Sequence, residues 1–235
     1  MALWVDEESI LQPLGLTVLR DSRYELLPST RDYFEKIPGR HGEIDFGAEF
    51  EARVLELHCC IEINPSDWPA KRQEIARYLN PLLGTQTLTF ADEPGKVYHV
   101  RYSGNIDITN YLDGKEFTIP FRMCDPFITS EKENQLTGSG TATNAGNVET
   151  PFILIIHGPA TNPSVTVGGY VMTYTGTIGV NSELIVDTEK LTATLDGQNA
   201  LPNYNGVFPK LQPGDNTVVA ATEGTTIIKW YDRWI

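Results

Sequence analysis

Cysteine is scarce, with three residues in 235, and two of them, Cys59 and Cys60, are adjacent. Neighbouring residues of a strand point to opposite faces, and three thiols cannot all pair, which argues against a disulfide framework. A metal site on His58, Cys59 and Cys60 lacks the spaced CxxC or HxxxH geometry that wraps one ion, so these thiols read as buried side chains of a strand. No metal or cofactor is expected. Also missing is any apolar run near the ~20 residues of a membrane-spanning helix. The opening Met1-Ala2-Leu3-Trp4-Val5 runs straight into Asp6, Glu7 and Glu8, without the basic flank and long apolar stretch of a signal peptide. The expectation is a protein made in a cytoplasm and kept there until it is assembled or released, with no membrane partner.

Positive charge is in short supply. Eighteen basic residues face 31 acidic ones, a formal net charge of −13 spread over both halves of the chain. Such a surface repels phosphate backbones, and no basic stripe interleaved with aromatics supplies nucleic-acid affinity. Specific nucleic-acid binding is not expected, although a channel that DNA must slip through without sticking would benefit from this sign. Catalytic signatures are missing too: there is no GxSxG elbow, HExxH, Walker loop or dinucleotide fingerprint. His41, His58, His99 and His157 share no motif, and the carboxylate pairs Asp92/Glu93 and Asp187/Glu189 sit at turns where solvated acids belong. The chain reads as a non-enzyme.

What remains, 40% hydrophobic and 21% charged, is globular and patterned mainly for β structure. In the first half, Leu16–Arg20, Phe50–Ile63, Thr87–Phe90, Val97–Ser103 and Glu116–Arg122 read as strands. Asp113-Gly114, flanked by Tyr111, Leu112, Phe117 and Ile119, suggests a hairpin. One helix is expected after Ser66 or Asp67 as cap, with Pro69 in its first turn and Trp68, Ile75, Leu79 and Leu82 on one stripe; Asn80-Pro81 and Gly84 end it. The second half offers strands at Phe152–His157, Ser164–Val167, Tyr170–Tyr174, Glu183–Asp187, Leu191–Leu195, Asn216–Ala221 and Thr226–Tyr231, the spacing of a sandwich or jelly roll. Between the halves the polar run Thr129–Thr143 buries too little to repay its ordering and reads as a linker. Two domains follow, residues 1–130 and 131–235.

Residues Pro28 to Gly47 are too long for a simple turn. Their apolar side chains Tyr33, Phe34, Ile37 and Phe46 either pack back on their own domain or reach a neighbouring subunit.

The order of several short motifs along the whole chain resembles one family. They are Pro38-Gly39-Arg40-His41-Gly42, Phe121-Arg122-Met123-Cys124-Asp125-Pro126-Phe127, Asn144-Ala145-Gly146-Asn147 with Thr150-Pro151, His157-Gly158, Asn162-Pro163, Leu211-Gln212-Pro213-Gly214-Asp215-Asn216 and the terminal Tyr231-Asp232-Arg233-Trp234-Ile235. Together they resemble the distal tail proteins of long-tailed siphophages. The resemblance implies a β-barrel-like first domain that builds a hexameric ring around a channel, followed by a galectin-like β-sandwich. It implies an adaptor hub of the virion tail tip. The tail tube and tape-measure proteins would meet one face, and the tail-associated lysin or fibre and the receptor-binding protein the other face or the periphery. A closed ring needs two different patches on each subunit, which open strand edges and the Pro28–Gly47 excursion could supply. The alternative function is a carbohydrate-binding module that grips a cell wall, with Tyr170, Tyr174, Tyr204, Trp230 and Trp234 as stacking aromatics, although most of these alternate with apolar neighbours as core or rim residues do.

Overall fold

The computed structural model describes residues 11, 14–19, 22–110 and 114–235. They fall into two compact units, Met1–Ile128 with Ile235, and Thr129–Trp234.

The first unit carries β1 (Thr17–Val18), β2 (Arg23–Tyr24), β3 (Thr30–Glu35), β4 (Ile44–Phe50), β5 (Arg53–Glu62), helix α1 (Trp68–Tyr78), β6 (Gln86–Leu88), β7 (Lys96–Tyr102), β8 (Ile108–Asn110) and β9 (Gly114–Met123). Its spine is the antiparallel β5–β9 pair, in register from Arg53↔Met123 to Glu62↔Gly114. Alternation along β5 turns Leu55, Leu57, Cys59 and Ile61 inward, opposite Phe121, Ile119 and Phe117 of β9. Full burial of each such side chain contributes roughly 1.5–3 kcal/mol. β1 and β2 add to the free edge of β5, β7 and β8 to β9, and β6 to β7, so the sheet curls around this core. The expected strands Thr87–Phe90, Val97–Ser103 and Glu116–Arg122 form as β6, β7 and β9, β8 is additional, and residues Tyr111, Leu112 and Asp113 of the expected hairpin turn lie outside the described residues.

Helix α1 begins after Asp67, which holds the N-cap position without a side-chain cap bond. The Asp67 carboxylate instead accepts from Asn64 and Ser66. Ile75 and Leu79 are buried as the stripe requires. Leu82 is not part of that stripe: it is 90% exposed, because Asn80 Oδ1 accepts from the Leu82 N–H at 3.0 Å and starts a separate turn of 3-10 helix, Pro81–Leu83.

The second unit is a β-sandwich. One sheet runs β11 (Asn134–Thr137), β23 (Thr225–Trp230), β13 (Phe152–His157), β18 (Glu183–Asp187), β19 (Thr192–Leu195), β20 (Gln198–Asn199); the other runs β12 (Gly140–Asn144), β22 (Gly214–Ala221), β15 (Ser164–Val167), β16 (Tyr170–Tyr174), β21 (Tyr204–Gly206). A short ribbon, β14 (Ala160–Thr161) with β17 (Thr177–Ile178), lies outside both, and β10 (Ile128–Ser130) and β24 (Arg233–Trp234) belong to neither sheet of the sandwich. Phe152, Leu154, Ile156, Leu184, Val186 and Ile228 of the first sheet pack against Ala142, Val165, Val167, Met172 and Val218 of the second. All seven expected strands form, and Glu183–Asp187 and Thr192–Leu195 pair as the expected hairpin.

The polar run Thr129–Thr143 is not a linker. It supplies β11 and β12, which pair with β23 and β22 in different sheets. A strand needs apolar residues only on the inward positions, and Leu136 and Ala142 fill them.

Candidate functional site

Pro28–Gly47 and the residues after it form a hairpin arm. β3 and β4 pair only with each other, from Thr30↔Phe50 to Glu35↔Ile44, and join neither the curled sheet nor the sandwich. Every residue of β3 and all but Ile44 of β4 is exposed. The base is pinned: the Glu51 N–H donates to Ser29 O at 2.8 Å, and the buried Arg53 guanidinium donates from Nη1 to Glu25 O at 2.9 Å. Burial lowers the Arg53 pKa, with Tyr98, Glu25 and Glu93 opposing that shift. Phe50 packs edge-on against Phe127, ring centroids 6.3 Å apart. Beyond that base the arm projects to a tip where the Arg40 N–H donates to Ile37 O.

The arm has two unlike faces, and a bulge decides which residue lies on which. Between the pairs Asp32↔Ala48 and Phe34↔Asp45, β3 takes two steps and β4 takes three. Gly47 absorbs the extra residue at φ +98°, a conformation that side chains disfavour, and its N–H donates to Asp45 Oδ1 at 2.7 Å. The bulge puts Phe34 on one face with Asp32, Asp45, Ala48 and Phe50. Tyr33, Ile44 and Phe46 share the other with Arg31, Glu35 and Glu49. Tyr33 Oη donates to Glu49 at 2.9 Å, and Arg31 pairs with Glu51 at 3.3 Å, both on that second face.

Tyr33, Phe34, Ile37 and Phe46 are 40, 56, 46 and 65% exposed, so their own unit does not bury them among the described residues. The structure brings Tyr33 and Phe46 to one face, Phe34 to the other and Ile37 to the tip. It adds Ile44 and Ala48, which the sequence reading passed over although Ile44–Phe50 alternates apolar and polar residues as a half-buried strand does, and Phe50, which ends β4 and does not start the strand expected over Phe50–Ile63, since β5 begins at Arg53. A two-stranded ribbon alone in water is marginally stable, so apolar residues on both faces mark a surface that gains by being covered.

The aromatics considered for sugar stacking are not gathered. Tyr174 and Trp230 are core residues, since their strand positions point inward, and Trp230 Nε1 donates to Asp232. Tyr204 is half-buried against Phe208 and donates to Val207 O, Trp234 is half-buried, and of the five only Tyr170 is exposed. Burial pushes the Tyr204 hydroxyl up to about 12. On β5, Cys59 points into the core while His58 and Cys60 point the other way and His58 Nε2 meets Glu116 at 2.7 Å, so the three do not converge on one ion.

The motifs of the second unit are internal fastenings. Asn144 accepts from the Gly146 N–H at 2.9 Å and donates to Val148 O, while Asn216 donates to Gln212 O and Gly214 O. Thr150 donates to Tyr231 O, and Asp232 accepts from the Ala145 N–H, Asn134 Nδ2 and Trp230 Nε1 at 3.0–3.2 Å. A Cβ on Gly146 would fall 1.8 Å from Arg233 O.

Both units match known families. Residues 10–123 match the phage tail protein RIFT-related domain, and residues 145–234 match the siphovirus-type tail component, C-terminal domain. This chain belongs to the siphophage distal tail protein family. It shares the fold of the SPP1 Dit protein, a hub of the adsorption apparatus in phages infecting Gram-positive hosts, at TM-score 0.78 over 100% of this chain and 99% of that one, with 16% identity. Two structures of the phage P2 baseplate in its activated conformation, with Ca and with Sr, align over 90% and 89% of this chain and 90% of theirs at TM-scores of 0.44 and 0.43 and identities of 8% and 9%. No curated protein sequence matches the chain. As a member of that family it is a siphovirus-type tail component.

Proposed function

We propose that this protein is the ring of the tail tip: about six copies close through the first unit around a channel for DNA. The tail tube and tape-measure proteins join one face, and the tail-associated lysin or fibre and the receptor-binding protein the other face or the periphery. Assembly takes place in the host cytoplasm. The observation that carries this reading is the arm, a pinned ribbon with uncovered aromatics on both faces, which is what one subunit needs to clasp the next. The net charge of −13 suits a wall that DNA passes without being trapped. The test is to replace residues 29–46 by a short turn and weigh the assembled protein. Loss of the large species with an unchanged melting temperature supports the clasp. An unchanged assembled mass would make the arm a surface loop.

A further inference from the structure

The stripe of α1 is only partly covered. Ile75 and Leu79 are buried, but Trp68, Arg72 and Ala76 look into a groove of about 300 Å³, closed on its far side by Tyr102 and Ile108. Ala76 and Ile108 are exposed, and Leu82 and Leu83 extend the apolar surface past the end of the helix. The rim is cationic. Arg72 lines the groove and Lys115 Nζ sits 5.8 Å from the centre of the Trp68 ring; among the described residues neither is paired with a carboxylate. In a chain with a large acidic excess, α1 carries three cations against one carboxylate.

The arm is the complement of this surface. Residues 30–50 hold five carboxylates against three cations, and the cations Arg31 and Lys36 are already paired with Glu51 and Glu43. Within β3 and β4 the face that carries Phe34 has two acids and no cation, and Lys36, next in line beyond β3, is paired with Glu43: Phe34 stands between Asp32 and Asp45, with Ala48 and Phe50 behind. We propose that the groove between α1 and β8 is the socket for the arm of a second copy, with Phe34 as the anchor and Asp32 and Asp45 facing Arg72 and Lys115. The proposal rests on the ring reading above and names its receiving surface. A heterologous interface needs two different, complementary patches on each subunit, and this unit carries one that is aromatic and acidic and one that is apolar and cationic. The other face of the arm, with Tyr33 and Phe46, stays available to a further contact.

The experiment uses the full chain. A photoreactive benzophenone amino acid replaces Phe34, and the adducts are mapped by mass spectrometry; in parallel, Phe34→Ala, Arg72→Glu and Ala76→Glu are tested for self-association by sedimentation velocity, with melting temperatures as controls. The expected adduct has dimer mass and joins position 34 to the peptide spanning residues 68–81. All three substitutions are expected to weaken association at least tenfold without lowering the melting temperature, because positions 34, 72 and 76 are exposed. If Phe34→Ala dissociates the assembly while Arg72→Glu and Ala76→Glu do not, or the adduct maps elsewhere on a second copy, the socket is wrong and the ring reading stands. An adduct of monomer mass, or a wild-type protein that does not self-associate, overturns both.

Discussion

Replacing Gly47 by valine should separate the function of the arm from the stability of the fold. Gly47 sits at φ +98°, and a Cβ built there meets nothing within 4 Å, so the penalty is conformational and not a clash. Holding an L-residue in that region costs roughly 1–2 kcal/mol, and more for a β-branched side chain. The arm can avoid the cost by straightening the bulge, but then every residue on one side of Gly47 moves to the opposite face and Phe46 no longer lies beside Tyr33. Either way the clasp loses roughly 1–2 kcal/mol per subunit, a 5- to 30-fold effect, and in a ring of six it recurs to roughly 6–12 kcal/mol. The cores of both units are untouched. Sedimentation velocity should therefore show the assembly dissociating at concentrations where the wild type is intact, while the thermal transition stays within about a degree. A lowered melting temperature with unchanged assembly would refute this reasoning, because it would place Gly47 in the structure of the fold and not in its contacts.

Other consequences concern the fold itself. Asp232→Ala strands three donors, the Ala145 N–H, Asn134 Nδ2 and Trp230 Nε1, and should cost about 3–5 kcal/mol in chemical denaturation, with Asp232→Asn losing less. Gly146→Ala should disrupt the second unit by a comparable amount or more, because the new methyl would overlap Arg233 O and backbone must move on one side or the other. Burial pushes the Cys59 thiol from an ordinary 9.0 up to about 12. Below pH 9 it is protonated folded or unfolded; above it the unfolded thiol ionises and the folded one does not, so stability should fall by up to about 1.4 kcal/mol per pH unit between those values. Cys59→Ala should flatten that slope and leave the parts due to Cys60, whose thiol is also raised by burial and Glu116, and to Tyr204, which begins above about 10. With a thiol reagent at neutral pH, Cys124 should react first, half-buried Cys60 more slowly, and Cys59 only on unfolding.

Local patterning carried most of the sandwich: strands such as Ser164–Val167 and Glu183–Asp187 follow directly from alternation between turn residues. It failed where inward positions were filled by small or polar groups. In Asn134–Asn144 only Leu136 and Ala142 enter the core from the two strands, so composition resembled a linker although both are paired along their length. Buried Asn144 and Asn216 are likewise invisible to a hydrophobic pattern, because their value lies in hydrogen bonds to residues distant in sequence. The arm was legible as an excursion rich in aromatics, but its bulge at Gly47 was not. The division of those aromatics between two faces needed the register, since one extra residue in β4 reverses what alternation alone assigns.

The central claim is that this chain closes into a ring through its first unit. The most direct test is the absolute mass of the purified protein by light scattering, with negative-stain images of the same sample. The account predicts a species of about six subunits with a central hole. A protein that stays monomeric at every accessible concentration, or forms open or irregular assemblies without a hole, would contradict it.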